Sequence, residues 1–254
     1  MKLDRRNQIA DMITRQRTVK NAELMEKFDI SIETVRRDLE YLEKQGILRR
    51  VYGGAVVNLS LNSEPEYANR AKVRYEEKAA IAAEAVKLIE PQDSIYLGVG
   101  TTVQAMAQYI KSMGEMTVFT NALRTAVELS DAPHCALILP GGRLRSKELT
   151  LSGFPAEENF RNFNVDKAFV GIGGINENGV TDFHIDEAQL HRQLIKNARL
   201  SVVLADSSKL GLRAVVNVCP LEDIDVVITD SGASPTVVRA LEEAGVRVIV
   251  AKNK

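Results

Sequence analysis

The run SIETVRRDLEYLEKQGILRRVYGGA, Ser31 to Ala55, decides how the front of the chain folds. Ser31 is a natural N-cap, and Val35, Leu39 and Leu42 recur at the spacing of one helix face. At about 100° per residue these three form a narrow stripe that has to be buried. Glu33, Arg37, Glu40 and Lys44 then lie opposite, flanked by Thr34 and Arg36. Gly46 stands where a helix C′ residue belongs. The β-prone stretch ILRRVYGGAVVN reads as a hairpin around Gly53-Gly54. Upstream, Ile9, Met12 and Ile13 mark one short helix. Ala22, Leu24, Met25 and Phe28 mark another, with Asn21 as its expected N-cap, and FDIS joins it tightly to the helix opened by Ser31.

Helix, turn, capped helix and hairpin in that order make a winged helix-turn-helix over residues 1–58, with the helix-turn-helix itself at about 20–39. The N-terminal residues of a recognition helix are the ones set against base edges in the major groove. The expected DNA contacts are therefore Ser31, Glu33, Thr34, Arg36 and Arg37. Of these, Thr34, Arg36 and Arg37 can read guanine or thymine or hold phosphate. Arg49, Arg50 and Tyr52 would ride on the wing and reach backbone or minor groove. A merely solvated charged face is the competing reading of the helix taken alone.

Charge supports the division. The 254 residues hold 33 Lys+Arg against 34 Asp+Glu, a net charge of −1. Residues 1–58 hold 12 basic against 9 acidic, which leaves 21 against 25 for the rest. A mildly basic head on an acidic body suggests two jobs. With 45% hydrophobic and 26% charged residues, wholesale disorder is excluded. No stretch approaches the ~18 uninterrupted apolar residues of a membrane helix. Met1 to Arg6 are charged and lead into no apolar run, so no signal peptide and no membrane role are expected. Cys135 and Cys219, in HCALIL and NVCPL, have no partner at metal spacing and read as buried free thiols of a cytoplasmic protein. No metal or cofactor is implied.

From about 59 to 75 the pattern dissolves into a polar, Pro65-containing linker. Over 76–254, apolar runs alternate with amphipathic helices: SIYLGVG then TTVQAMAQYIKSM, MTVFTN then ALRTAVELS, CALILPGG, DKAFVGIGG, a helix from Glu187 to Asn197, LSVVLAD, DVVITD, VVRALEEAG and VRVIVA. Strands without polar alternation, each feeding a helix, mean a mainly parallel, Rossmann-like α/β domain with both faces covered. Such sheets bind ligands at the carboxyl ends of their strands. There, Gly98-Val99-Gly100-Thr101-Thr102 offers close backbone approach, outward amides and two hydroxyls, a cradle for phosphate. It is not G-x-G-x-x-G, because Val103 occupies the third glycine position, nor is it a P-loop. Thr120-Asn121, Gly141-Gly142-Arg143 and Asp206-Ser207-Ser208-Lys209 end three further strands.

The run from Ser31 to Ala55 resembles the signature of the DeoR family of bacterial transcriptional regulators. LGVGTT, TNAL, PGGRLR, GIGGI and VVLADSSKLG follow in that family's order through nearly the whole chain. The resemblance implies a repressor of a sugar-catabolism operon, released from operator DNA by a phosphorylated sugar. It also implies a body with the fold of ribose-5-phosphate isomerase, glucosamine-phosphate deaminase and CoA transferases. In those enzymes the matching segments surround the sugar phosphate, so Gly100, Thr101, Thr102, Asn121, Gly142, Arg143 and Lys209 are expected effector contacts. In GVTDFHIDEAQLHR, Asp182, His184 and Glu187 have the proton-transfer groups that aldose–ketose chemistry needs. The blander reading makes Asp182 and Glu187 acceptors for sugar hydroxyls, with His184 lining the pocket and His191 on the surface. We expect no catalysis, the alternative being a sugar-phosphate isomerase or deaminase with an accessory DNA-binding head. An activator sensing an unphosphorylated ligand is a third reading. Because a single winged helix makes few base contacts, a homo-oligomer is expected, a dimer or tetramer assembled through the body.

Overall fold

The computed structural model describes residues 2–16, 18–44, 47–57 and 64–252, and the chain divides into two units, Met1–Val73 and Arg74–Lys254. The first runs α1 (Lys2–Gln16), β1 (Thr18–Lys20), α2 (Asn21–Phe28), α3 (Ile32–Lys44), β2 (Leu48–Val51), β3 (Gly54–Val57) and α4 (Tyr67–Lys72). The stripe of Val35, Leu39 and Leu42 is buried, as its spacing requires, against Ile9, Ile13, Val19, Leu24 and Leu48. Burying a side chain of this size stabilises the fold by roughly 1.5–3 kcal/mol, so a core this small depends on each of them.

Three local details differ from the sequence reading. Asn21 is the first residue of α2, not its N-cap; Lys20 holds that place without a side-chain cap bond. The wing turns at Tyr52-Gly53, while Gly54 belongs to β3. There a third strand, β1, pairs with β3, and a Cβ on Gly54 would come within 2.1 Å of the Val19 carbonyl oxygen. Glycine at 54 is thus a packing requirement of a three-stranded sheet, β1-β3-β2. The expected helix stop at Gly46 lies outside the described residues, as does the start of the linker. The later part of the 59–75 stretch carries α4.

In the second unit the strands are β4 (Ser94–Leu97), β5 (Met116–Thr120), β6 (Cys135–Ile138), β7 (Arg143–Arg145), β8 (Thr150–Ser152), β9 (Val165–Gly171), β10 (Gly174–Asn176), β11 (Gly179–Asp182), β12 (Ala198–Leu204), β13 (Val216–Cys219), β14 (Val226–Asp230) and β15 (Arg247–Ala251). The helices are α5 (Tyr75–Ala85), α6 (Thr101–Gln104), α7 (Ala107–Ile110), α8 (Leu123–Leu129), α9 (Phe154–Phe160), α10 (Ile185–Lys196) and α11 (Pro235–Glu243). Seven strands form one parallel sheet in the order β15-β14-β12-β9-β4-β5-β6. Successive residues along a strand point to opposite faces. Tyr96, Ala168, Val170 and Val203 accordingly feed one apolar core, and Ile95, Leu97, Phe169, Val202 and Leu204 the other.

The chain builds outward from β4 to β6, then returns to lay β9 on the other side of β4. The strand order therefore reverses between β4 and β9, the switch point where open α/β sheets form a crevice. Two antiparallel additions were not legible in the sequence: the β7–β8 hairpin and the sheet β10-β11-β13. The stretch TTVQAMAQYIKSM, expected as one helix, is two short ones, α6 and α7.

Candidate DNA interface and ligand site

In the head, Ser31 caps α3, accepting the Thr34 amide at 3.4 Å, and its hydroxyl lies 3.2 Å from that of Thr34. Glu33, Arg36 and Arg37 are exposed on the next turn, Thr34 is half-buried, and Arg49, Arg50 and Tyr52 are exposed on the wing. Arg50 is engaged within the head: its Nε donates to Glu43 Oε2 and its amide to Glu43 Oε1, both at 2.7 Å. What fixes α3 from behind is Asp38, a buried carboxylate that accepts Nε of Arg5 at 2.8 Å and Nε of Arg6 at 2.7 Å. The guanidinium of Arg6 also stacks on Tyr41, 3.9 Å from the ring centroid.

In the body, the Gly98–Thr102 loop lies at the switch point. The Gly98 amide donates to the Phe169 carbonyl of β9 at 2.9 Å. A Cβ on Gly171, at the end of β9, would come within 2.3 Å of the Val99 carbonyl oxygen, so the two strand ends meet backbone to backbone. Gly100, with φ +138°, opens α6; Thr101 is half-buried and Thr102 buried.

Beneath this loop is a buried polar cluster. The Tyr96 hydroxyl donates to Asn121 Oδ1 at 2.9 Å. Burial, then the carboxylates of Glu187 and Asp182, push the Tyr96 phenol well above its ordinary range and keep it a donor. His191 was expected on the surface; it is 1% exposed, because α10 buries Glu187, Ala188, Leu190, His191, Leu194 and Ile195 as one face. Its Nε2 accepts the Val99 amide at 3.4 Å, and its Nδ1 faces Asp182 Oδ2 at 3.7 Å. Burial pushes this imidazole down to about 4, so near neutral pH it is uncharged and can accept. A Cβ on Gly98 would lie 2.8 Å from its Nε2. His191 thus accepts from the loop after β4 while its other ring nitrogen faces the end of β11 without a hydrogen bond. The helical repeat of Ala188, Leu190, Leu194 and Ile195 was the signal that could have placed it inside.

The structure brings Asn121, Asp182 and Glu187 around Tyr96 and His191. Glu187 is already engaged, its Oε1 accepting Thr150 Oγ1 at 2.7 Å and pairing with Arg145 at 2.7 Å. His184 is half-buried at the N-terminus of α10. Lys209 is half-buried, its Nζ 5.8 Å from the Phe183 ring next to Asp182. Gly142 and Arg143 are exposed, and Arg143 is paired with Asp186 on α10. Burial pushes Asp206 up, but Lys78, Lys209 and Arg74, with the Ser208 hydroxyl, outweigh it and hold the carboxyl below its usual range.

A shallow recess of about 460 Å³, lined by residues including Gln92, Glu115, Thr117, His134 and Cys135, lies instead at the amino ends of β5 and β6. It carries none of the expected contacts. Both cysteines are free thiols, Cys219 buried and Cys135 half-buried, and burial pushes Cys219 up to about 12. No helix among the described residues is long and apolar enough to cross a membrane.

Two family models match, a DeoR-like helix-turn-helix domain over residues 5–60 and a DeoR C-terminal sensor domain over residues 73–231. Among curated relatives, an uncharacterized HTH-type transcriptional regulator of Bacillus subtilis (strain 168), YulB, is 36% identical over 96% of this chain and 95% of its own. A putative aga operon transcriptional repressor of Escherichia coli O157:H7 is 32% identical over 97% of this chain and 93% of its own. The glycerol-3-phosphate regulon repressor of Escherichia coli (strain K12) is 31% identical over 94% of this chain and 95% of its own. With a head that presents a capped helix and a wing, a sensor built at a sheet switch point, and relatives of the same length and order throughout, this chain belongs to the DeoR family of transcriptional regulators.

Proposed function

We propose that this protein is a cytoplasmic repressor of a sugar-catabolism operon, released from its operator when a phosphorylated sugar binds the body. The α3 face with Ser31, Glu33, Thr34, Arg36 and Arg37 docks in the major groove, and Arg49, Arg50 and Tyr52 on the wing reach the backbone or minor groove. The single observation that carries the DNA half is that Arg36 and Arg37 are exposed on a helix whose opposite side is pinned by Asp38. Gly100, Thr101, Thr102 and Lys209 hold the phosphate, Asn121 and Asp182 the sugar hydroxyls, and Gly142, Arg143, His184 and Glu187 border the pocket.

The protein is not an enzyme on this reading. Isomerisation needs a carboxylate free to move a proton at the sugar carbon. Glu187, the second carboxylate of the Asp182, His184 and Glu187 set, has one oxygen committed to both Thr150 and Arg145. The relatives named as repressors support the same conclusion.

The test uses DNA upstream of the neighbouring genes and a panel of hexose and pentose phosphates, each with its unphosphorylated parent. Fluorescence anisotropy should show tight binding released by a phosphorylated member and not by its parent. Arg36→Ala with Arg37→Ala should weaken operator binding by ~1–3 kcal/mol for each arginine that makes a bidentate base contact. Unchanged affinity in the folded double variant overturns the docking, and turnover of the sugar phosphate seen by NMR overturns the non-enzymatic reading.

A further inference from the structure

His191 has no part in the roles proposed above, although it is buried between two of them. Because Nε2 accepts the Val99 amide, the uncharged ring carries its proton on Nδ1. Nδ1 faces Asp182 Oδ2 at 3.7 Å and has no hydrogen-bond partner. A buried donor without an acceptor is costly and uncommon in a native fold. Tyr96 meets the imidazole edge to face, with ring centroids 6.1 Å apart, and a Cβ on Gly98 would lie 2.8 Å from Nε2. The next residue, Arg192, donates to the carbonyls of Val218 and Asn217 on β13, both at 2.6 Å. In turn β13 pairs with β11, Val216 opposite Asp182. The helix that carries the ring and the strand that carries the carboxylate are thus held in one register, so side chains, not elements, close the gap between Nδ1 and Oδ2.

Both contacts of the ring, 3.4 Å at Nε2 and 3.7 Å at Nδ1, are longer than the roughly 2.7–3.2 Å of well-formed hydrogen bonds. A chain of hydrogen bonds polarises along its length, so shortening one end strengthens the other. We propose that His191 is a positioning residue of the effector site, joining the Gly98–Thr102 loop to the Asp182 carboxylate so that loop and carboxylate close on a ligand together. This rests on the effector reading above. The ligand it favours touches both, a sugar whose hydroxyl donates to Asp182 while its phosphate lies against the loop. Asp182 Oδ1 is anchored by the Phe183 amide at 2.7 Å. A hydroxyl on the carboxylate turns Oδ2 toward Nδ1, the satisfied N–H makes Nε2 a better acceptor, and the Val99 amide is drawn in. The coupling is reciprocal: phosphate on the loop strengthens the hold on the hydroxyl by the same factor.

The experiment uses the full chain, His191→Gln and His191→Leu. The first substitution supplies both an acceptor and a donor, and the second fills a comparable volume with neither. The probes are ribose 5-phosphate, glucose 6-phosphate, their parent sugars and inorganic phosphate. In calorimetry without DNA, the sugar phosphate that releases the operator should bind His191→Leu about tenfold more weakly and His191→Gln within about threefold of the original chain. Inorganic phosphate, which reaches the loop alone, should bind all three within about threefold of one another. The chain has three histidines, so comparison with the His191→Gln spectrum identifies the His191 imidazole signals by NMR. In the unsubstituted chain its Nδ1-bound proton should move downfield with the sugar phosphate and stay in place with inorganic phosphate. That readout does not depend on His191→Leu folding.

An Nδ1 proton unmoved by a sugar phosphate that releases the operator overturns the inference and leaves the effector reading standing. So does a folded His191→Leu that binds the sugar phosphate as the original chain does. An equal loss for sugar phosphate and inorganic phosphate in His191→Leu makes the residue a support of the loop alone and overturns the inference too. Release by a neutral parent sugar, with the Nδ1 proton moved and the tenfold loss in His191→Leu, overturns the phosphate class alone. Release by none of the probes overturns both.

Discussion

At the scale of single residues, His191 gives the sensor a measurable pH dependence. Its folded value of about 4 lies below the ordinary 6.5, because burial penalises the imidazolium. As pH falls through 6.5 the unfolded chain takes up a proton that the folded chain refuses until about 4. Stability is therefore complete above 6.5 and is lost between about 6.5 and about 4, by an amount on the order of 3 kcal/mol. His191→Gln can still offer Val99 an acceptor but cannot titrate. Urea midpoints at pH 7 and pH 5 should converge in that variant relative to the original chain, and equal pH slopes in the two would refute the assignment. The residue was in plain view in HIDEAQLHR, but that it faces inward depends on where α10 packs. Its partner Val99 is 92 positions away, so no local pattern pairs them.

At the scale of elements, the recognition helix is held in two different ways. Val35, Leu39 and Leu42 anchor it by burial, which the spacing of apolar residues made legible. Asp38 anchors it by charge, and a lone aspartate among charged neighbours in VRRDLEYLEK gives no sign of being 1% exposed. It is buried because α1 crosses there and supplies Arg5 and Arg6 from more than 30 positions away. Removing one partner of a buried pair costs about 3–5 kcal/mol when the other charge stays buried. Here the arginine side chains are 20% and 14% exposed and can rehydrate, so Asp38→Ala should cost nearer to about 2 kcal/mol. Amide exchange of α3 in the full chain should accelerate correspondingly, and operator affinity should fall without any DNA contact being removed. Unchanged exchange would mean that the apolar stripe suffices. The missed β1 and the broken α6–α7 helix have the same origin as Asp38: three-residue strands and helix interruptions are set by what packs on them, such as Val19 against Gly54.

At the scale of the whole molecule, the fold places a DNA-reading unit and a sensing unit on one chain, and one winged helix reads too little DNA for a specific site. We therefore predict a dimer or tetramer held through the sensor, which light scattering at micromolar concentration should report with and without DNA. A monomer under both conditions contradicts it. The amino-acid sequence by itself determined the capped helix with its buried stripe, the wing, and a parallel α/β body. These follow from the 3.6-residue period of the helices, from unbroken apolar runs that alternate with them and from glycines at turns, all of them local in the chain. Tertiary structure alone decided that the strand order reverses between β4 and β9, that Glu187 is engaged by Arg145 and Thr150, and that His191 is buried beneath the Gly98–Thr102 loop. It also decided that Arg74 meets Ser207 across 133 positions. The physical reason is that a buried polar group is defined by partners the fold brings to it, and those partners leave no periodic trace in the sequence around it.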